Sequence, residues 1–117
     1  SVYQVRRVRR VDGRLVLYVE HYLNPRFFPR ILEFDLRRSL TEVYASEYGI
    51  FYGRVRFDMV STALHADAAS SLKVAAGSPA LRVTRINRDQ HGRLIDCDLE
   101  YWRHDAIHVS VEVPQTA

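Results

Sequence analysis

Apolar and polar positions alternate along this chain in strand-length segments, and the breaks between segments are residue pairs that reverse a chain. Val2 to Val11 and Leu15 to Leu23 read as two strands joined at Asp12-Gly13, a pair suited to a tight hairpin turn. Asn24-Pro25 ends the second strand. Pro25 to Leu36 has no regular period but is apolar at Phe27, Phe28, Ile31, Leu32, Phe34 and Leu36, which predicts a loop with a short helical turn packed down on the sheet. The run SLTEVYASEYG then switches to helical spacing. Ser39 with Glu42 three residues later forms a capping box, Leu40, Val43, Tyr44 and Tyr48 share a face, and Gly49 supplies the stop. Phe51 to Ser61 returns to alternation, with Phe51, Val55, Phe57 and Met59 on one face and Tyr52, Arg54, Arg56 and Asp58 on the other. HADAASSLKV predicts a second short helix. Strands follow over Leu81 to Arg88, over Leu94 to Trp102 after a turn at Asp89 to Gly92, and over the alternating Ile107 to Val113. Hairpins with two helices between them define an α+β class with a mainly antiparallel sheet of about six strands.

A repeat lies inside this pattern. Gly-Arg-Leu, six residues and Tyr occur at Gly13 to Tyr22 and again at Gly92 to Tyr101. The duplication predicts two pseudo-symmetric hairpins and a cleft where the halves meet. With 117 residues, 47% of them hydrophobic, and no linker or low-complexity tract, the chain reads as a single domain over 1–117. No apolar run approaches the roughly 18 residues that cross a bilayer, and no charged-then-apolar leader precedes the first strand, so a cytoplasmic protein without membrane attachment is expected. The single Cys97 fits a reducing compartment and leaves no thiolate zinc site.

Charge sharpens the reading. The net charge is +3, and of the 17 basic residues only Lys73 is a lysine. Guanidinium groups present a planar fork of donors that suits carboxylate or phosphate. Basic residues are interspersed with Asp and Glu and form no basic helix, which argues against direct nucleic-acid contact by this segment. Alternation puts Arg7 and Arg9 on one face of the first strand, about 6.5 to 7 Å apart. That pair is mildly repulsive when bare and favourable when one anion bridges both forks; solvated rims of an edge strand are the other reading. Ser39 and Thr41 bracket the first turn of the capped helix, where free N–H groups and the macrodipole favour an anion. If that turn abuts the hairpin, donors converge on one guest from two directions.

Other clusters carry less. His104 and His108 are four apart but sit in a turn entering a strand, so no metal site is expected, and no cofactor or catalytic constellation emerges. Asp96, Asp98 and Glu100 share a face of the fifth strand, either as an exposed acidic edge or with Asp96 reaching into the cleft.

The ordered features Arg-x-Arg, turn Gly, YLNPRFFP, RSLTEVYASEYGI, SSLKVAAGSPALRVTRINRDQHGRLID and YWRHD resemble the UTRA effector-binding domain of the HutC-type branch of GntR-family bacterial transcription regulators. The resemblance runs from Val5 to Val113. It implies a chorismate-lyase-like fold, a non-catalytic pocket for a small anionic effector, a homodimer, and contact with operator DNA only through an N-terminal winged helix-turn-helix domain that this chain lacks. Relatives that bind sugar phosphates use the Arg-x-Arg pair and hydroxyls at the following helix start, which fall on Arg7, Arg9, Ser39 and Thr41. An acidic residue and a Tyr near the sugar correspond to Asp96 and Trp102. The family's sugar-contacting Glu of the second strand aligns with Val19, while Glu20 faces away. That loss of an acceptor implies a smaller or less hydroxylated anion: an organophosphonate, a phosphate ester or a carboxylate. Two competing classes are an enzyme, because the same fold houses a lyase, and a dimerisation domain without ligand.

Overall fold

The structure, a computed structural model, describes residues 1–114; the last three residues of the expected 1–117 domain lie outside it. Its elements are β1 (Tyr3–Val11), β2 (Arg14–Leu23), a 3₁₀ turn at Ile31–Glu33, α1 (Leu40–Tyr48), β3 (Tyr52–Ala63), α2 (Ala66–Leu72), β4 (Pro79–Asp89) and β5 (Leu94–Arg103). All strands join one antiparallel sheet in the order β1-β2-β5-β4-β3. The two hairpins β1–β2 and β4–β5 therefore meet along β2 and β5, with Tyr18 opposite Tyr101 and, at the equivalent point of the repeat, Tyr22 opposite Cys97.

Local chemistry accounts for the elements. Asp12 and Gly13 both take positive φ, 51° and 78°, as a two-residue hairpin turn whose twist matches the strands requires. Ser39 Oγ accepts from the Glu42 N–H at 3.4 Å, and Gly49, at φ 62°, ends α1 with its own N–H on Ala45 and that of Ile50 on Tyr44. His65 caps α2 through Nδ1, which accepts from the Ala68 N–H.

Each sheet face has its own cover. The Pro25 to Leu36 stretch drives Phe28 and Ile31 under α1, where they pack with Leu23, Val43, Tyr44 and Ile50; the Phe28 and Tyr44 rings stack at 4.3 Å. On the other face Ala68, Ala69 and Leu72 of α2 cover Leu15, Tyr18 and Tyr101. No helix among the described residues is long and apolar enough to cross a membrane.

Two details differ from the sequence pattern. Residues 104–114 add no sixth strand, and Val109, Val111 and Val113 are exposed. After the turn in which the Ala106 N–H bonds the Arg103 carbonyl, β5 offers no vacant edge, since β2 and β4 already flank it. The outer edges of the sheet belong to β1 and β3, and residues 104–114 form a strand with neither. In β3 the register slips between Tyr52 and Val55, where one extra residue opposes β4. This bulge turns Tyr52 to the face that carries Phe57 instead of the opposite one.

Candidate functional site

Residues opposite one another in an antiparallel sheet share a face, so the register writes out the floor of a site. Val5, His21, Asp98 and Arg85 form one row across the sheet; Arg7, Val19, Glu100 and Val83 form the next; Arg9, Leu17, Trp102 and Leu81 form a third. The approach to α1 rises over these rows and encloses a cleft of about 920 Å³. Arg7 and Arg9 stand on one wall with Ser39 and Thr41, while Trp102, Arg85 and Tyr52 also line it. Five of the six residues singled out from sequence thus border one cavity. The sixth, Asp96, lies outside it.

The two arginines are held differently. Arg7 donates from Nε to His21 Nε2 and from Nη1 to the Arg38 carbonyl, both at 3.1 Å. Burial lowers its pKa, an effect opposed by the nearby Asp98 charge. An arginine stays protonated regardless. Arg9 is exposed and has no side-chain hydrogen bond among the described residues, so its fork is available to a guest. At the start of α1 the Ser39 hydroxyl is partly used by its cap, and the Leu40 and Thr41 N–H groups precede the first intrahelical bond, Val43 to Ser39.

Beneath the cleft runs a buried polar chain that the sequence did not announce. His21 Nδ1 meets Asp98 Oδ1 at 2.7 Å; Asn87 Nδ2 donates to Asp98 Oδ2 at 3.0 Å and to Asp96 Oδ1 at 2.5 Å; Tyr44 Oη donates to Asp96 Oδ2 at 2.5 Å. Both oxygens of Asp96 are taken, one by Tyr44 of α1 and one by Asn87 of the neighbouring strand, and the residue is 4% exposed. Asp98, one row nearer the row of Arg7, is the acid that borders the cavity. Glu100 does so too, accepting the Trp102 indole N–H at 2.9 Å with Arg85 Nη1 at 3.8 Å. The Arg85 guanidinium in turn lies over the Phe57 and Tyr52 rings, 5.2 and 5.8 Å from their centroids. Val19 faces the cavity, and Glu20 turns to the other face, bonded by the Tyr18 and Tyr22 hydroxyls.

Burial, and next the charge of Asp98, push the Asp96 carboxyl up to about 6. A carboxyl whose folded pKa is raised contributes stability below its ordinary value and loses it as pH climbs through the folded value. This group therefore erodes stability between about pH 4 and 6. Asp96→Asn keeps an acceptor for Asn87 and removes the charge; urea unfolding should show a gain of about 2 kcal/mol at pH 7.5 and little change at pH 4.5. Equal destabilisation at both pH values would contradict this account.

His21 and Arg85 went unmarked in sequence, and Asp98, Glu100 and Tyr52 were given a strand face but no place in the site, because their positions depend on register. A hairpin extended straight from its turn would set Arg7 against Tyr18. A slip between Arg9 and Arg10 sets it against Val19 instead, and so brings His21 to the cleft face.

Comparison with known proteins places this geometry. The family model described as UTRA domain matches residues 1–108. Among curated proteins, the uncharacterized HTH-type transcriptional regulator YihL of Escherichia coli (strain K12) is 26% identical over 103 residues, which is 88% of this chain and 44% of that protein. The chain thus spans less than half the length of the curated relative. Among solved structures, PhnF from Mycobacterium smegmatis superposes with a TM-score of 0.88 at 24% identity, covering 98% of this chain and 51% of that one. The C-terminal domain of Yurk from Bacillus subtilis gives 0.88 at 12% identity, covering 96% and 78%. These structures share the fold, an α+β arrangement of the chorismate-lyase-like type. With residues 1–108 matched, a stretch that holds the whole sheet and both helices of this chain, the chain belongs to the UTRA domain family, whose members serve transcription regulators as effector-binding modules and not as catalysts.

Proposed function

We propose that this chain is the effector-sensing domain of a HutC-type GntR regulator, acting in the cytoplasm as a homodimer. Its effector is a small anion seated between Arg7, Arg9 and the start of α1. The observation that carries the reading is the convergence of two guanidinium groups, one with an unengaged fork, and a capped helix start on one cleft. Each supplies donors, the helix start adds its dipole, and no carboxylate bonds to either arginine among the described residues. Val19 offers no acceptor at its own position, and the Glu100 carboxylate opposite it is engaged by the Trp102 indole N–H, which favours an organophosphonate, phosphate ester or carboxylate over a richly hydroxylated sugar phosphate. The anion would regulate by binding one arrangement of the dimer more tightly than the other, shifting DNA-binding heads carried on the rest of a longer protein.

The test is a thermal-shift screen of the purified chain with inorganic phosphate, phosphonates, phosphate esters and carboxylates. A ligand at a hundred times its Kd should stabilise the fold by about 2.7 kcal/mol. A screen in which no anion raises the melting temperature would overturn the proposal.

A further inference from the structure

We infer that His21 is a positioning residue for the anion site, holding Arg7 through a neutral imidazole in the Nδ1–H form. The inference rests on the reading of the cleft as an anion site. Arginine Nε carries only a donor, so His21 Nε2, 3.1 Å away, must accept and be bare of hydrogen. The ring proton then sits on Nδ1 and is donated to Asp98 Oδ1 at 2.7 Å. Asp98 is itself fixed, its other oxygen accepting from Asn87. One tautomer satisfies every member of the chain.

The consequence is a fork with a defined aim. With Nε on His21 and one Nη1 hydrogen on the Arg38 carbonyl, the plane of the guanidinium is pinned, and the two Nη2 hydrogens and the second Nη1 hydrogen are left for a guest. A carboxylate at position 21 would also hold Arg7 but would neutralise it. An uncharged acceptor fixes the direction of the cation and preserves its attraction for an anion, while the Asp98 charge stays one ring further back.

Two substitutions separate the roles of the two ring nitrogens. His21→Asn keeps a donor near the Nδ1 position and loses the acceptor for Arg7; His21→Gln extends an acceptor toward the Nε2 position. Titration calorimetry with inorganic phosphate and methylphosphonate should show affinity reduced about tenfold in His21→Asn and within about threefold of wild type in His21→Gln. Circular dichroism verifies that both variants fold. Independently, long-range ¹⁵N correlation of the wild-type imidazole should show the Nδ1–H pattern for His21. Wild-type affinity in a folded His21→Asn, or an Nε2–H pattern, overturns the inference. If wild type binds neither anion, the phosphate and phosphonate readings of the cleft fail, and the imidazole spectrum still decides the His21–Arg7 pairing.

Discussion

Anion binding should fall at least about 100-fold when Arg7 and Arg9 are both replaced by alanine. Each guanidinium offers charge-assisted hydrogen bonds worth about 1.5 to 3 kcal/mol, so loss of the pair removes roughly 3 kcal/mol or more, at 1.4 kcal/mol per factor of ten. The fold should survive. Arg9 is exposed, and Arg7 lies on an edge strand where its contacts are a ring nitrogen and one loop carbonyl. Titration of the double variant with whichever anion stabilises wild type checks the number, and its melting temperature without ligand checks the fold. Undiminished affinity would move the anion to the Arg85 end of the cleft. Arg7→Lys makes a finer comparison: it keeps the charge but not the fork, and should lose about tenfold.

The largest purely structural effect is expected at Gly53. A Cβ built there would lie 2.3 Å from the Asp89 carbonyl oxygen, a backbone atom inside the β3–β4 ladder that cannot swing aside. Gly53→Ala must push the two strands apart or undo the bulge that carries Tyr52 to the cleft face. We expect a loss of about 3 kcal/mol, at the upper end of overpacking costs, and a melting temperature lower by roughly 10 °C. Tyr52 shares the cleft lining with Arg7, so the variant should also bind anions less well. An alanine with wild-type melting would mean that the ladder tolerates a close approach that real Cβ atoms essentially never show.

How far the sequence reached depends on whether a feature is local. The capping residues of α1 lie within one turn of the groups they serve, and Ser39, Glu42 and Gly49 do what their spacing implied. The Asp12-Gly13 turn and the two-residue period of the strands are equally local, and so is the sharing of a face by Arg7 and Arg9. The neighbours across the sheet are not. The slip at Arg9 decided which β2 residues face the cleft with Arg7, and the position of α1 decided which acid borders it; Asp96 and Asp98 lie on the same side, yet Tyr44 covers one and leaves the other beside the cavity. Tyr52 changed sides through a bulge whose only local sign is a glycine. Ile107 to Val113 has the alternation of a strand, but alternation records what a segment could cover, not whether it reaches an edge, and β5, the strand it follows, is flanked on both sides.

The seam between β2 and β5 also bears on how the polypeptide comes to be folded. Tyr18 and Tyr101 lie near opposite ends of the chain and are partners at its centre, so the sheet cannot zip shut in the order in which it is synthesised. The first hairpin must wait on the ribosome, one long side unsatisfied, until the last has emerged. Pairing across such sequence distance is slow to nucleate and leaves an adhesive edge open meanwhile. The charged side chains of Arg6, Arg7, Arg9 and Arg10 on that first hairpin would keep nascent copies apart during the wait.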